Sequence, residues 1–322
     1  MDNRWVRYWN GNYIVLLDLK TGTKIRWSYD EDNFVADFPE CIDVTITNKC
    51  SQGCPMCYAG CTSNGRCPDL LNAPWISKVR PGTEFAIGGG NIFEHPQLYP
   101  FLRMLSSREI IANITVNQVH FMEHLDKIKK WSNEGLVYGI GVSVFDPTEE
   151  LLTAMNSIKN TVAHCIVGIL TPDMICKMSD HDINLLLLGY KTTGRGGRYL
   201  DSNSSPIQTN TAALERILGE RFIEDSFVSK FRVISFDNLA LKQLHIKNKL
   251  TKERWQQFYM GDDGVDGELS SASMYIDMVS NTYAINSMTG QSERYPISRD
   301  DSPTTMYQAL RAQMLNRTVI PE

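Results

Sequence analysis

Between residues 42 and 189 the chain alternates strand-length apolar runs with helix-length segments, and few folds accept that order. The apolar runs are 42–47, 84–88, 111–117, 138–144, 162–169 and 184–189, with helix-length segments at 97–107, 120–133, 148–157 and 172–178. In the second of these segments Phe121, Leu125, Ile128 and Trp131 recur at helical spacing. Such alternation implies a parallel sheet joined by right-handed crossovers. The near-continuous apolar stretches 165–170 and 185–188 predict burial on both sheet faces. Order along the chain admits an open doubly wound sheet or a barrel, and in either one ligands collect at the carboxyl ends of the strands.

The flanks are less regular. Residues 1–40 read as a β-hairpin, with 13–19 and 24–27 about the turn Lys20-Thr21-Gly22-Thr23. Beyond 189 the pattern predicts a helix at 209–219, a seventh strand at 232–236, mostly helix over 239–260 and a hairpin of 274–279 with 282–286. Ser302-Pro303 is a helix start, with serine as cap and proline in the first turn. This divides the 322 residues into a hairpin (1–40), a core (41–200) and an extension (201–322) that completes and covers the core. A formal charge of −5 gives no overall footprint for nucleic acid, which is not an expected partner. There is neither a bilayer-length apolar run nor a signal-peptide core at the start, so the expectation is a cytoplasmic protein without a membrane partner.

The eight cysteines sharpen this frame. In a reducing compartment, clustered cysteines bind metal or do chemistry more often than they form disulfides. Cys50, Cys54, Cys57, Cys61 and Cys67 fall in one segment after the first apolar run, whereas Cys41, Cys165 and Cys176 are expected in the core. In Cys50-Ser51-Gln52-Gly53-Cys54-Pro55-Met56-Cys57 the spacing is x3 then x2. Three thiolates so spaced can take three corners of a [4Fe–4S] cube and leave the fourth iron without a protein ligand. Thiolates are the soft donors such clusters use, and an open metal position distinguishes a reactive site from a closed one. Zinc remains open, because Cys61 or Cys67 would complete four ligands, though the chain has no second Cys-x2-Cys or paired histidine.

The triplet, and the run 43–50 that reads as a strand entering its loop, resemble the radical S-adenosylmethionine (SAM) superfamily over roughly residues 41–195. The resemblance implies an α/β fold: a partial (β/α)6 TIM-like barrel with a short N-terminal β-hairpin and a C-terminal α+β extension. It implies a [4Fe–4S] cluster on Cys50, Cys54 and Cys57, with SAM on the vacant iron. Reductive cleavage of SAM would then give a 5′-deoxyadenosyl radical that abstracts hydrogen from a substrate. The electron would come from an external one-electron reductant of flavodoxin or ferredoxin type.

A second motif, Ala86-Ile87-Gly88-Gly89-Gly90-Asn91-Ile92-Phe93-Glu94-His95-Pro96, resembles the superfamily's GGEP region, whose bare backbone holds the SAM amino group. Gly88, Gly89 and Gly90 match it. Asn91 stands where the family commonly has glutamate, so a contact there is by carbonyl dipole alone. By the same resemblance Asn117 and Ser143, at the ends of their runs, meet SAM. Val167 and Gly168 form a floor under adenine, and Met56 offers its backbone to the adenine amino group. Lys191 and Arg195, among glycines after the sixth run, are candidates for a substrate carboxylate or phosphate. Asp237 is a candidate at the same mouth.

Two further patterns carry no chemistry. Asp262 to Gly267 suggests a calcium loop, but Gly264 and Ser273 stand where ligands are required. His120 and His124 share a helix face without a third ligand. The substrate itself is open; the tail segments 258–263, 274–279 and 283–286 resemble the hairpin of auxiliary-cluster domains on some peptide-modifying members of the superfamily, which implies a peptide or protein, and no cysteine follows Cys176, so tail thiolates build no second cluster. An Fe–S electron-transfer or redox-sensing protein and a zinc-stabilised binding module are the alternatives.

Overall fold

The structure is a computed structural model and describes residues 5–29, 34–221, 230–258 and 272–318. The calcium-loop pattern at 262–267 and the tail residues 259–263 lie outside the described residues.

Three antiparallel strands open the chain: β1 (Trp5–Asn10), β2 (Tyr13–Asp18) and β3 (Lys24–Ser28). The expected hairpin is the β2–β3 half. The additional strand β1 closes on β2 through the two-residue turn Gly11-Asn12, with Gly11 at φ 61°, and glycine supplies the positive φ that such a turn needs at its first central position. This small sheet is fastened to the main domain by a buried carboxylate. Glu40, fully buried, accepts from the Tyr13 hydroxyl, from Asn10 Nδ2 (3.3 Å) and from Arg26 Nε (3.1 and 3.2 Å). Lys24 bridges Glu40 at 3.2 Å and also pairs with Glu84 of the main sheet at 2.5 Å. Burial alone would raise the Glu40 carboxyl pKa; the Arg26 and Lys24 charges outweigh it and hold the group below the usual range.

The main sheet begins with β4 (Cys41–Thr47), β5 (Glu84–Gly89), β6 (Ile111–Asn117), β7 (Ile140–Ser143), β8 (Thr161–Ile166), β9 (Asn184–Leu188) and β10 (Val233–Phe236). Each of these strands lies parallel to the next in sequence. Their order therefore never reverses, unlike a doubly wound sheet with its switch point. On the far side of β4, β11 (Ser273–Asp277) adds another parallel strand, followed by antiparallel β12 (Thr282–Ala284) and β13 (Tyr295–Pro296). The tail hairpin foreseen from sequence is thus β11–β12, and it is an integral part of the sheet.

Helices connect the strands: α1 (Leu98–Ser107), α2 (Gln118–Glu123), α3 (Leu125–Asn133), α4 (Glu149–Asn156), α5 (Pro172–Ser179), α6 (Gly196–Arg221), α7 (Asn238–Gln243), α8 (Lys252–Phe258) and α9 (Pro303–Thr318). Thr148 and Thr171 cap α4 and α5 by accepting from Leu151 N and Met174 N, and Ser302 accepts from Thr305 N at α9. The single helix expected over 120–133 is divided at His124 (φ −115°, ψ 19°). α6 starts well before the expected helix and bends at Asn203 (φ −132°, ψ 27°), three residues before Pro206, which cannot donate to residue 202.

Burial alternates along the strands, and that corrects the expectation of two buried faces. Ile42, Val44, Phe85, Ile87, Ile114, Val142, Ala163, Cys165, Leu185 and Leu187 belong to one core that also holds Phe101 of α1, Leu152 of α4 and Ile175 of α5. Fully burying each large apolar side chain there contributes roughly 1.5–3 kcal/mol. The opposite face carries Asp43, Thr45, Asn113, Thr115, Asn117, Ser143, His164 and Asn184, all half-buried or exposed. Cys165 is in the core as expected, whereas Cys41 is half-buried and Cys176 is exposed. Among the described residues no helix is long and apolar enough to cross a membrane.

Candidate active site

The cysteine loop grows from a distorted strand end. The β4–β5 register shifts between Thr45 and Thr47, a bulge that re-aims the chain as it leaves the sheet. Thr47, fully buried, is the pivot: its hydroxyl donates to Arg66 O (2.9 Å), lies 3.4 Å from Cys67 Sγ and accepts from Lys49 N (3.0 Å). The loop then folds on itself through Cys50 N to Thr62 O (2.8 Å) and Thr62 N to Asn48 O (3.1 Å).

The glycine motif lies directly against this loop. Gly90 N donates to Thr47 O (2.7 Å) and Asn91 N to Lys49 O (2.8 Å). A methyl group at Gly90 would stand 2.1 Å from Lys49 O, so the glycine serves a backbone-to-backbone approach. On its other side the β5–β6 register stops at Ile87–Ile114, short of Gly88 and Gly89, while β6 itself runs on to Asn117. Asn91 is buried and caps the turn at Ile92–Glu94 by accepting from Phe93 N (3.1 Å). Gly90→Ala is expected to cost roughly 1–3 kcal/mol by overpacking and to loosen the loop. Thermal unfolding, together with iron bound per chain after reconstitution, checks this.

Asn117 ends β6 and caps α2 by accepting from Val119 N (2.8 Å); its Nδ2 is 3.7 Å from Cys54 Sγ. In register with it across the sheet stand Ser143 and then His164. Sequence reasoning passed over His164, a half-buried imidazole whose desolvation draws its pKa down to about 4. Val167 is buried, and Gly168 O accepts from Asn210 Nδ2 of α6 (3.0 Å), which sets Gly168 against that helix.

Arg195 is the loop's clamp. Its Nε donates to Cys54 O (3.0 Å), its Nη1 to Cys61 O (2.8 Å) and its backbone N to Cys57 O (2.9 Å). Beside it Gly194, at φ 57°, comes so close to the loop that a Cβ would be 2.3 Å from Tyr58 O. The run of glycines around Arg195 was the available signal for this contact. Lys191 reaches the same region, with Nζ 4.4 Å from the Tyr58 ring centroid and 3.3 Å from Ser287 Oγ. Asp237 Oδ1 accepts from Gly189 N (2.8 Å) and Ala240 N (2.7 Å), tying the end of β9 to the start of α7. Glu94, also unforeseen, joins the two motifs: its Oε1 accepts from Ser51 N (3.4 Å), Ser51 Oγ (3.3 Å) and Asn91 Nδ2 (3.3 Å).

Arg195→Ala removes two side-chain hydrogen bonds from a charged donor, each contributing roughly 1.5–3 kcal/mol. Several-fold less iron should be retained after reconstitution. Lysine should not rescue it, because one ammonium cannot reproduce the planar fork; an iron count on both variants is the check.

Cys50, Cys54 and Cys57 are half-buried free thiols and Cys61 is buried. The Cys61 thiol donates to Cys57, drawing Cys57 below the ordinary thiol range despite its burial, and Cys61 is pushed up in turn. Burial, followed by the neighbouring Cys57 and Cys50, raises Cys54. Among the described residues no three His, Cys, Asp or Glu side chains gather as around one metal ion. A single ion requires its ligands in one coordination sphere, whereas a cube spreads three thiolates over three irons. By the chemistry of the donor set, three soft donors on one half-buried loop, the residues fit a cluster.

No protein-family model matches the chain, and no curated protein matches it in sequence. Its fold is similar to that of SuiB from Streptococcus suis. The structure of SuiB bound to the precursor peptide SuiA matches with a TM-score of 0.60 at 11% identity, over 97% of this chain and 90% of that one. SuiB bound to S-adenosylmethionine matches with a TM-score of 0.59 at 11% identity, over 98% and 89%. At that identity the likeness is one of fold.

Proposed function

We propose that the chain is a radical SAM enzyme acting on a peptide, built as a partial (β/α)6 barrel whose polar sheet face lines the reaction space. The observation that carries this reading is the meeting of three motifs at one place. The strand end Gly88–Gly90 and the cap Asn117 both converge on the loop bearing Cys50, Cys54 and Cys57. The fold shared with SuiB, which has been crystallised with S-adenosylmethionine and with a precursor peptide, supports the cofactor and the substrate class.

In this reading Cys50, Cys54 and Cys57 hold a [4Fe–4S] cluster. When bound, the cluster supplies one-electron reduction of the SAM sulfonium, and the radical chemistry belongs to the cofactors. The protein's own work is to hold and to shield. Arg195 and Asn117 fix the loop. Gly88 and Gly89, outside the β5–β6 register, would offer bare backbone to the SAM amino group. Ser143 offers a hydroxyl on the polar face, and Met56 a backbone contact to adenine. Val167 and Gly168 back the adenine side through α6. Arg195, engaged with loop carbonyls, acts here by positioning; Lys191 and the polar face of β4–β9 are left to meet the substrate. Asp237 supports the mouth through its hydrogen bonds to Gly189 and Ala240. The neutral His164 imidazole lies in the same row as Asn117 and Ser143 and can exchange a hydrogen bond with the substrate.

Anaerobic reconstitution tests the reading. About four irons per chain and 5′-deoxyadenosine after dithionite reduction with SAM are expected. A cluster without 5′-deoxyadenosine would favour an electron-transfer protein, and zinc in place of iron a structural module.

A further inference from the structure

Asn117 closes β6 and opens α2, and both ends of its amide are engaged. Its Oδ1 accepts from Val119 N at 2.8 Å, and its Nδ2 donates to Cys54 Sγ at 3.7 Å. The first bond fixes the sense of the second. A flipped amide would set its NH2 against the Val119 N–H, donor facing donor. The backbone at Asn117 (φ −71°, ψ 149°) is that of a helix cap, so the side chain is held where strand turns into helix.

Cys54 is gripped from a second direction by Arg195, whose Nε donates to Cys54 O at 3.0 Å. The two partners lie 63 and 141 residues further along the chain. The middle cysteine of the triplet therefore has its backbone and its sulfur fixed by segments that only the folded sheet brings together.

The two contacts differ in kind. A bond to the backbone oxygen places the loop. An N–H aimed at the sulfur acts on the electrons of whatever that sulfur binds. A ligand thiolate keeps lone pairs that accept hydrogen bonds, and a donor there stabilises the state with more negative charge. Reduction adds one negative charge to a cluster, so such a donor favours the reduced state and raises the reduction potential. Asn117 and Cys54 are both half-buried, and a hydrogen bond shielded from water is electrostatically stronger than an exposed one.

We infer that Asn117 is a tuning residue, an amide donor to Cys54 that raises the reduction potential of the cluster this cysteine holds. The inference rests on the reading of Cys50, Cys54 and Cys57 as cluster ligands, and adds which side chain sets how readily the cluster takes up its electron. It leaves room for a contact with SAM, because the amide nitrogen carries two hydrogens and Cys54 takes one.

A dithionite redox titration of the reconstituted full chain, followed by electron paramagnetic resonance at pH 8 and without SAM, is the test. One electron passes from dithionite to the cluster, and the N–H proton stays on Asn117. Two variants keep the cap on Val119 N and remove the amide: Asn117→Ser takes the donor away, and Asn117→Asp puts a carboxylate in its place. At the potential that half-reduces the unmodified cluster, the ratio of reduced to oxidised cluster should fall roughly threefold in the serine variant and about tenfold or more in the aspartate variant, tenfold being about 59 mV for one electron. Equal midpoints in all three proteins, or a shift to higher potential, would overturn the inference. So would variants that hold less iron while the remaining cluster titrates like the unmodified one, or that hold none, since Asn117 would then only build the loop. If the unmodified chain carries a cluster but yields no 5′-deoxyadenosine with SAM and dithionite, the radical SAM reading fails, and the midpoints still decide the role of Asn117.

Discussion

Cys54→Ala is expected to bring 5′-deoxyadenosine formation below detection while leaving the fold in place. Cys54 is the middle thiol of the triplet and the one Asn117 touches. Its loss leaves two thiolates of the triplet, too few for a cube with one open iron. The alanine itself is tolerated: the side chain is half-buried, and Arg195 binds the backbone oxygen of residue 54, which the substitution keeps. Iron per chain, 5′-deoxyadenosine by chromatography and a far-ultraviolet circular dichroism spectrum decide the matter. Unchanged turnover would refute the ligand assignment. Cys176→Ala, at an exposed position of α5, is the matched control and should behave as the unmodified chain.

Glu40→Gln should destabilise the protein by about 3–5 kcal/mol, the cost of breaking a buried ion pair by removing one charge. The amide keeps the shape of the carboxylate but cannot neutralise Arg26 and Lys24, which face it at 3.0 and 3.2 Å. Against a total stability of roughly 5–15 kcal/mol, that change is large, and urea denaturation will measure it. Its pH dependence has a definite sign. The Glu40 carboxyl is held below its ordinary value, so its contribution is complete above the unfolded-state pKa of about 4.3 and fades as pH falls through the folded value. Burial lowers Lys24, but Glu84 and Glu40 more than compensate and raise it, so its contribution fades as pH rises through the folded value. The gap between wild type and variant should therefore be widest near neutrality and close in acid.

The parallel strands were legible because each is an apolar run bounded by turn residues, and β4 to β10 fall where those runs predict. What period-two reading missed was the face. Leu186 and Leu188 look like core residues in sequence, yet they lie half-buried on the polar side of the sheet. β1 escaped because outward Trp5, Arg7 and Trp9 alternate with inward residues, a pattern that a polar start obscures. At the site, the cysteine and glycine motifs lie against each other at the ends of β4 and β5. The residues that join them were not legible, because Glu94, Thr47 and Arg195 act through hydrogen bonds between segments remote in sequence, and no local pattern encodes those. Arg195 was noticed for its charge, but its partners are carbonyls 134 and 141 residues away.

The strand that carries the cysteine loop has one neighbour close to it in sequence and the other far along the polypeptide. β5 reaches β4 soon after it is made, but β11 pairs with it only when residues 273–277 arrive, and Tyr275 bonds Thr45 across 230 residues. Until then one edge of β4 offers unpaired amides and carbonyls to any other extended chain, and so distant a contact forms slowly. During synthesis on the ribosome, the strand that carries the cysteine loop is thus paired on both edges only once residue 277 has been made. A chain truncated before residue 272 should aggregate rather than merely lose activity.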